Sequence, residues 1–176
     1  MRTHGLLWQA VTGRYAPRGD PADGDCVIGF AFGHRGSSGP GLANEDLAAL
    51  IAKRFGDRSL ILQAEIAEAL GPVSSHVYEI SGHRRRRRYL DTREVAAQAR
   101  LVMRREGFRC AIVVAQPHHL PRADAVCRKL GLETIVPAGI AARFDPRSRQ
   151  PWTRDQPKWS VREGLAIAHY TVRRWI

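Results

Sequence analysis

Lysine is almost missing from this sequence. Among its 28 basic residues only Lys53, Lys129 and Lys158 are lysines; the other 25 are arginines. The formal net charge of +11 invites a nucleic-acid reading. A phosphate-binding surface shaped by selection draws on both basic residues, however, whereas GC-rich codon usage yields an arginine excess whatever the function. Nucleic acid is therefore not the favoured partner. Cysteine is scarce as well. Cys26, Cys110 and Cys127 form no CxxC or CxxH pair, so no zinc centre or other metal site is expected. They read as small core residues in a reducing compartment. No run approaches the roughly 20 apolar residues needed to span a bilayer, and the N-terminus has too short an apolar core for a secretory signal. These absences predict a soluble, cytoplasmic protein with no membrane contact. Both GxGxxG and GK[ST] are missing too, which removes the dinucleotide fingerprint and the P-loop.

The chain does contain short, unbroken apolar runs. CVIGFAF (residues 26–32), SLILQ (59–63) and CAIVVA (110–115) have strand length, and HVYEI (76–80) and ETIVPAG (133–139) add two weaker candidates. Helical patterns alternate with them. Leu47, Leu50, Ile51 and Phe55 recur at helical spacing behind Asn44, a candidate cap, with Gly56 as the stop. Asp91 and Glu94 form an Asp version of the capping box, ahead of an apolar face of Val95, Ala99, Val102 and Met103. Ala123, Val126, Cys127 and Leu130 make a further stripe. Residues 160–175 read as a last amphipathic helix facing inward through Leu165, Ala168, Val172 and Trp175. Continuously apolar strands alternating with helices predict an α/β, three-layer, Rossmann-like fold: a mainly parallel central sheet flanked by helices. At 176 residues it should be one domain. Residues 1–24 read as an N-terminal extension, 25–140 as the core, and 141–176 as a C-terminal loop and helix.

In such a fold ligands bind outside the carboxyl ends of the strands. Three polar clusters fall there: GHRGSSGPG after the first strand, the residues around Gln63 to Glu68, and QPHHLPR after CAIVVA. In the first, glycines let backbone N–H groups turn toward an anion, and Gly33, His34, Arg35 and Gly36 are the candidate holders. The alternative is a surface turn. Glu65 is the better site carboxylate of the second cluster, because it lies nearer the strand end. In the third, Pro121 suits a first helical position, which puts His119 just before the helix and Arg122 in its first turn. A cation is unfavourable there by about 0.3–1 kcal/mol, which suggests an anionic ligand or a buried carboxylate beside it. A structural ion pair for Arg122 and a hydrogen-bonded loop role for His119 are the competing readings. His118 is expected to be peripheral. HRRRRRY, residues 83–89, holds five consecutive arginines, read as a solvated loop with anion attraction as the alternative.

DTREVA, followed by AIVVAQPHHLPRADAVCRKLGL, resembles the signature of the YdcF/SanA/ElyC-like bacterial domains. There, an Asn-Thr-x-Glu-Asn helix start precedes a strand ending in Val-Thr-Ser and then His-x-x-Arg-Ala. Thr92 and Glu94 match the helix start, with Asp91 in place of Asn. His119, Arg122 and Ala123 match the second motif, and Gly29 and Gly33 resemble the first turn in placement. The resemblance spans residues 25–140. Ala115 and Gln116 stand where the family has Thr-Ser, Val95 where it has Asn, and Gln63, Ala64 and Glu65 where it has Ser-Gly-Gly. The resemblance implies a three-layer α/β fold, the position of the site, and S-adenosylmethionine as a cofactor.

The sequence therefore predicts a small enzyme acting on an anionic or nucleotide-like molecule, of unstated reaction class. His119 would be the acid–base residue, since its ordinary pKa lies near neutrality. Glu94 or Glu65 would assist it. Gly33, His34, Arg35, Gly36, Thr92, Gln116 and Arg122 would hold the ligand. The alternatives are a binding module for S-adenosylmethionine or a nucleotide, and nucleic-acid binding through Arg84 to Arg88.

Overall fold

The structure, a computed structural model, describes residues 3–176; the first two positions of the expected extension lie outside the described residues. The chain is α/β. Its strands are β1 (Cys26–Phe30), β2 (Ser59–Gln63), β3 (Val77–Ile80), β4 (Cys110–Ala115) and β5 (Glu133–Ile135). They form one parallel sheet in the order β3-β2-β1-β4-β5. The inner strands β1 and β4, and the middle of β2, are apolar because both faces are covered, whereas the edge strands β3 and β5 carry exposed Glu79 and Glu133. On one face, Cys26, Ile28 and Phe30 join Ala111, Val113 and Ala115 beneath α4 (Thr92–Glu106) and α5 (Leu120–Lys129). On the other, Val27, Leu60, Leu62, Ile112 and Val114 pack under α2 (Leu42–Phe55) and α3 (Ala64–Leu70). Each fully buried Leu, Ile or Phe among them contributes about 1.5–3 kcal/mol. Gly29 lets the Leu62 side chain of β2 and Ile66 of α3 pack onto β1, since a Cβ there would sit 2.7 Å from Leu62 Cδ2 and 3.2 Å from Ile66 Cδ1.

The segment before β1 is built into the domain. Helix α1 (Thr3–Thr12) packs through Leu6 and Ala10 against Ala125 of α5 and Ile167 of α6 (Gln156–Val172). Farther along, Arg18 and Tyr15 converge on the carboxylate of Asp124, which is wholly buried. Burial alone would raise the Asp124 pKa; hydrogen bonds from Arg18, Thr134 and Tyr15 bring it below the usual range instead. Arg18 also pairs its backbone with Val136 in an antiparallel bridge beside β5.

Two local readings change. Asn44 lies inside α2, whose N-cap is Gly41. Its buried amide accepts from the Phe32 N–H and donates to the Gly33 and Pro40 carbonyls, so it fixes the loop after β1 rather than capping a helix. In α6 the inward face is Trp159, Glu163, Ala166, Ile167 and Tyr170, whereas Leu165, Ala168 and Val172 are exposed. A carboxylate in the middle of the buried stripe shifts the apparent phase of that helix. Among the described residues no helix is long and apolar enough to cross a membrane.

Candidate functional site

The chain leaves β1 toward β2 on one side of the sheet and leaves β4 toward β5 on the other. The loops after β1 and β4 therefore diverge, and the crevice opened between them is the usual binding place of such sheets. A cleft of about 380 Å³ lies here. Its walls come from Ala31 to Gly33 after β1, Gln63 at the end of β2, Tyr89 to Thr92 before and at the start of α4, His119 and Arg122 of the β4–α5 region, and α6 with the turn before it.

Arg122 is buried, with a small part of its surface facing the cleft. Its Nε and Nη2 donate to the two carboxylate oxygens of Glu163 at 2.7 and 2.8 Å, and Nη1 donates to the Thr92 hydroxyl at 2.5 Å. Its guanidinium also stands 5.2 Å over the Tyr170 ring. Burial works against the Arg122 charge, but the Glu163 carboxylate outweighs it and holds the group protonated. This is the buried carboxylate that a cation in the first turn of α5 calls for.

The remaining contact of Arg122 is with His119. Nη2 lies 3.2 Å from His119 Nδ1. A guanidinium only donates, so Nδ1 is the acceptor and the neutral ring carries its proton on Nε2. Burial first, then the charges of Arg122 and Arg162, lower the His119 pKa well below its ordinary 6.5. The imidazole is neutral at physiological pH, so the near-neutral titration expected of it is absent. Phe30 and Trp159 enclose the ring edge-on, at centroid distances of 6.1 and 5.6 Å.

No family model, curated protein or solved structure matches the chain.

Of the sequence-derived candidates, Gly33, Thr92, His119 and Arg122 meet at the crevice. The others lie outside its lining. Glu94 accepts from the Arg84 backbone N–H and from Arg84 Nε and Nη2 at 3.1, 2.6 and 3.1 Å, and from Gln98. Arg84 foremost lowers its pKa to about 2. Glu65 opens α3, half-buried. Gln116 is buried, and its Oε1 accepts the His118 N–H. The His118 ring is tied to the Ala10 carbonyl of α1.

The glycine loop does gather a carboxylate, but it is the protein's own. Asp145 accepts the Leu42 N–H at the start of α2 at 3.1 Å and the Arg147 N–H at 3.0 Å. Arg35 Nε lies 2.7 Å from it, misaligned for a hydrogen bond and so an ion pair. The Gly36 N–H is taken by His34 Nδ1. His34, Arg35 and Gly36 thus build the loop, and Gly33 alone of the four reaches the crevice.

The sequence reading missed the far wall: Trp152, Trp159, Arg162, His169 and Tyr170. One signal was present. Trp159, Glu163, Ala166, Ile167 and Tyr170 keep helical spacing with a carboxylate among apolar residues, and such a carboxylate needs a buried cation.

Proposed function

We propose that this protein binds an anionic, nucleotide-like small molecule in the crevice between β1 and β4, and acts on it as an enzyme. The observation that carries the reading is the chain Glu163–Arg122–His119, which turns a neutral imidazole into a fixed donor. With Nδ1 occupied by Arg122, His119 can offer only its Nε2–H. A neutral imidazole is a poor proton donor but an effective hydrogen-bond donor to an oxygen gaining negative charge, and burial strengthens that effect. His119 would therefore stabilise charge on the ligand rather than shuttle protons. The Trp152, Trp159 and Tyr170 rings would take a flat ring system, since aromatic faces stack on any base. Arg162, which has no carboxylate partner among the described residues, would meet the anion.

The motif residues Thr92, His119 and Arg122 stand together here, which supports the likeness to the YdcF/SanA/ElyC-like bacterial domains. The lining does not suit S-adenosylmethionine. That molecule brings a sulfonium and an ammonium, whereas the one acidic residue among the described lining residues, Asp91, uses its carboxylate to cap α4. Among the described lining residues, the charge without a carboxylate partner is the Arg162 guanidinium. Three free, buried thiols suit a reducing compartment, and we place the protein in the cytoplasm.

A second reading, binding without turnover, is favoured by the engagement of the polar side chains: the Thr92 hydroxyl serves Arg122 and the Gln63 amide oxygen accepts the Ala31 N–H. Thermal-shift screening against nucleotides and other phosphorylated metabolites tests both readings. A compound that raises Tm and returns altered supports the enzyme; one that returns unchanged supports binding alone. If no anionic compound shifts Tm, or if cationic ones do so instead, both are wrong.

A further inference from the structure

The arginine run ends at Arg88, one residue before the crevice wall begins at Tyr89. It occupies the loop between β3 and α4, and that loop continues directly into Tyr89, Leu90, Asp91 and Thr92 of the crevice wall. Its base is pinned. Arg84 grips Glu94 through backbone and side chain, Gln98 Nε2 donates to the Gly82 carbonyl, and the Arg85 N–H is accepted by His83 Nδ1. From this base a turn closes, with the Arg88 N–H on the Arg85 carbonyl at 3.3 Å. Arg87, third in the turn, has φ +62°. Glycine is the residue that this left-handed position favours, yet an arginine stands there.

Arg84 thus differs from its neighbours. It is consumed in holding the loop, whereas Arg85, Arg86, Arg87 and Arg88 are exposed and have no carboxylate partner among the described residues. Mutual repulsion makes four adjacent unpaired guanidiniums unfavourable, and solvent and salt only partly screen it. Across the crevice, α6 presents Arg162. Arg162 thus lines the cleft on one side, and on the other Tyr89, 63% exposed, joins the cleft wall to the arginine run in the chain.

We propose that Arg85, Arg86 and Arg88 select a multiply phosphorylated ligand, a nucleotide whose terminal phosphates project from the crevice onto this loop. The proposal rests on the crevice reading above and adds the class of ligand. The flat part and the first phosphate belong to the enclosed walls, and the charges beyond them belong to the rim. Exposed arginines suit this role because each can take a phosphate oxygen pair in its planar fork.

The test compares each of the four common ribonucleotides as its monophosphate and its triphosphate, by calorimetry, on the wild type and on a variant with Arg85, Arg86 and Arg88 each changed to Ser. Arg84 is kept so that the loop stays anchored. The wild type should bind one triphosphate on the order of tenfold more tightly than its monophosphate. The variant should lose most of that preference and keep its monophosphate affinity. Changing Arg104 and Arg109, at the opposite edge of the sheet, to Ser should leave the preference intact. A wild type with no preference, a preference that survives in the rim variant, or equal loss in the distal variant overturns the proposal while leaving monophosphate binding, and so the crevice reading, standing. Absence of all nucleotide binding removes the crevice reading and this one with it. A single-stranded oligonucleotide that binds more tightly than any triphosphate also overturns it, because the rim is then a nucleic-acid surface.

Discussion

Glu163 of α6 holds Arg122 of α5 through two parallel hydrogen bonds of 2.7 and 2.8 Å, with both side chains buried. Such a pair is worth little against a well-packed apolar replacement, but breaking it strands a charge at a cost of about 3–5 kcal/mol. Glu163→Ala should lower the urea midpoint accordingly. Glu163→Gln, which keeps the shape and one acceptor, should lose less. The double variant Arg122→Met, Glu163→Leu should recover much of the stability while abolishing ligand binding. Equal stability of Glu163→Ala and wild type would contradict the geometry.

His119 sets a pH dependence with a definite sign. Its folded pKa lies below the ordinary 6.5, so between the two values the unfolded chain holds a proton that the folded chain refuses. Stability should therefore fall as pH drops below about 6.5. In His119→Gln this part of the loss should vanish, as read from urea midpoints at pH 7.5 and 5. Nitrogen NMR of the wild type should show a neutral ring protonated at Nε2 at pH 6.

Glu94 acts in a lower window. Its pKa is depressed from the usual 4.5 to about 2, chiefly by the Arg84 side chain. The stability that the pair supplies is present above pH 4.5 and disappears as the pH falls toward 2. Glu94→Gln should be less stable than wild type at pH 7, and the gap should close in acid. The same substitution should loosen the arginine loop, seen as faster hydrogen exchange at the Arg84 and Arg85 amides.

Gly33 has φ +69°, and a Cβ there would stand 2.5 Å from Thr153 Oγ1 and 2.8 Å from Ser148 Oγ. Gly33→Ala should cost at least the roughly 1–2 kcal/mol of a left-handed alanine. Because Thr153 and Ser148 are buried and bonded to each other at 2.7 Å, they cannot easily give way. The variant should melt earlier and bind ligand more weakly. An unchanged Tm would contradict the close approach.

Sequence periodicity carried the sheet because its inner strands β1, β2 and β4 are covered on both faces, which leaves apolar runs of strand length, whereas the edge strands β3 and β5, with exposed Glu79 and Glu133, give the weaker signals. It also carried the place of the crevice, because the loops after β1 and β4 must end on one edge. What it could not carry was pairing at a distance. Glu163 lies 41 positions from Arg122, and its place in an apolar stripe asks for a buried cation without saying which of the many arginines supplies it. Leu165, Ala168 and Val172 also make a regular stripe, which hides the buried one. The glycine loop failed for a related reason. The loop does bring the Leu42 N–H and the Arg35 guanidinium to a carboxylate, but that carboxylate is Asp145, supplied from a later loop, and composition alone cannot tell an internal anion from a ligand.

Helix α6 also gives the crevice a place in time. The sheet, the His119 loop and Arg122 are all synthesised before Glu163. Until α6 docks, Arg122 has no carboxylate, its bond to the His119 ring has no anchor, and one wall of the cleft does not exist. A ligand of the proposed kind would therefore be met only after α6 has closed on the sheet and α5, so that affinity for it would report the docking of that helix.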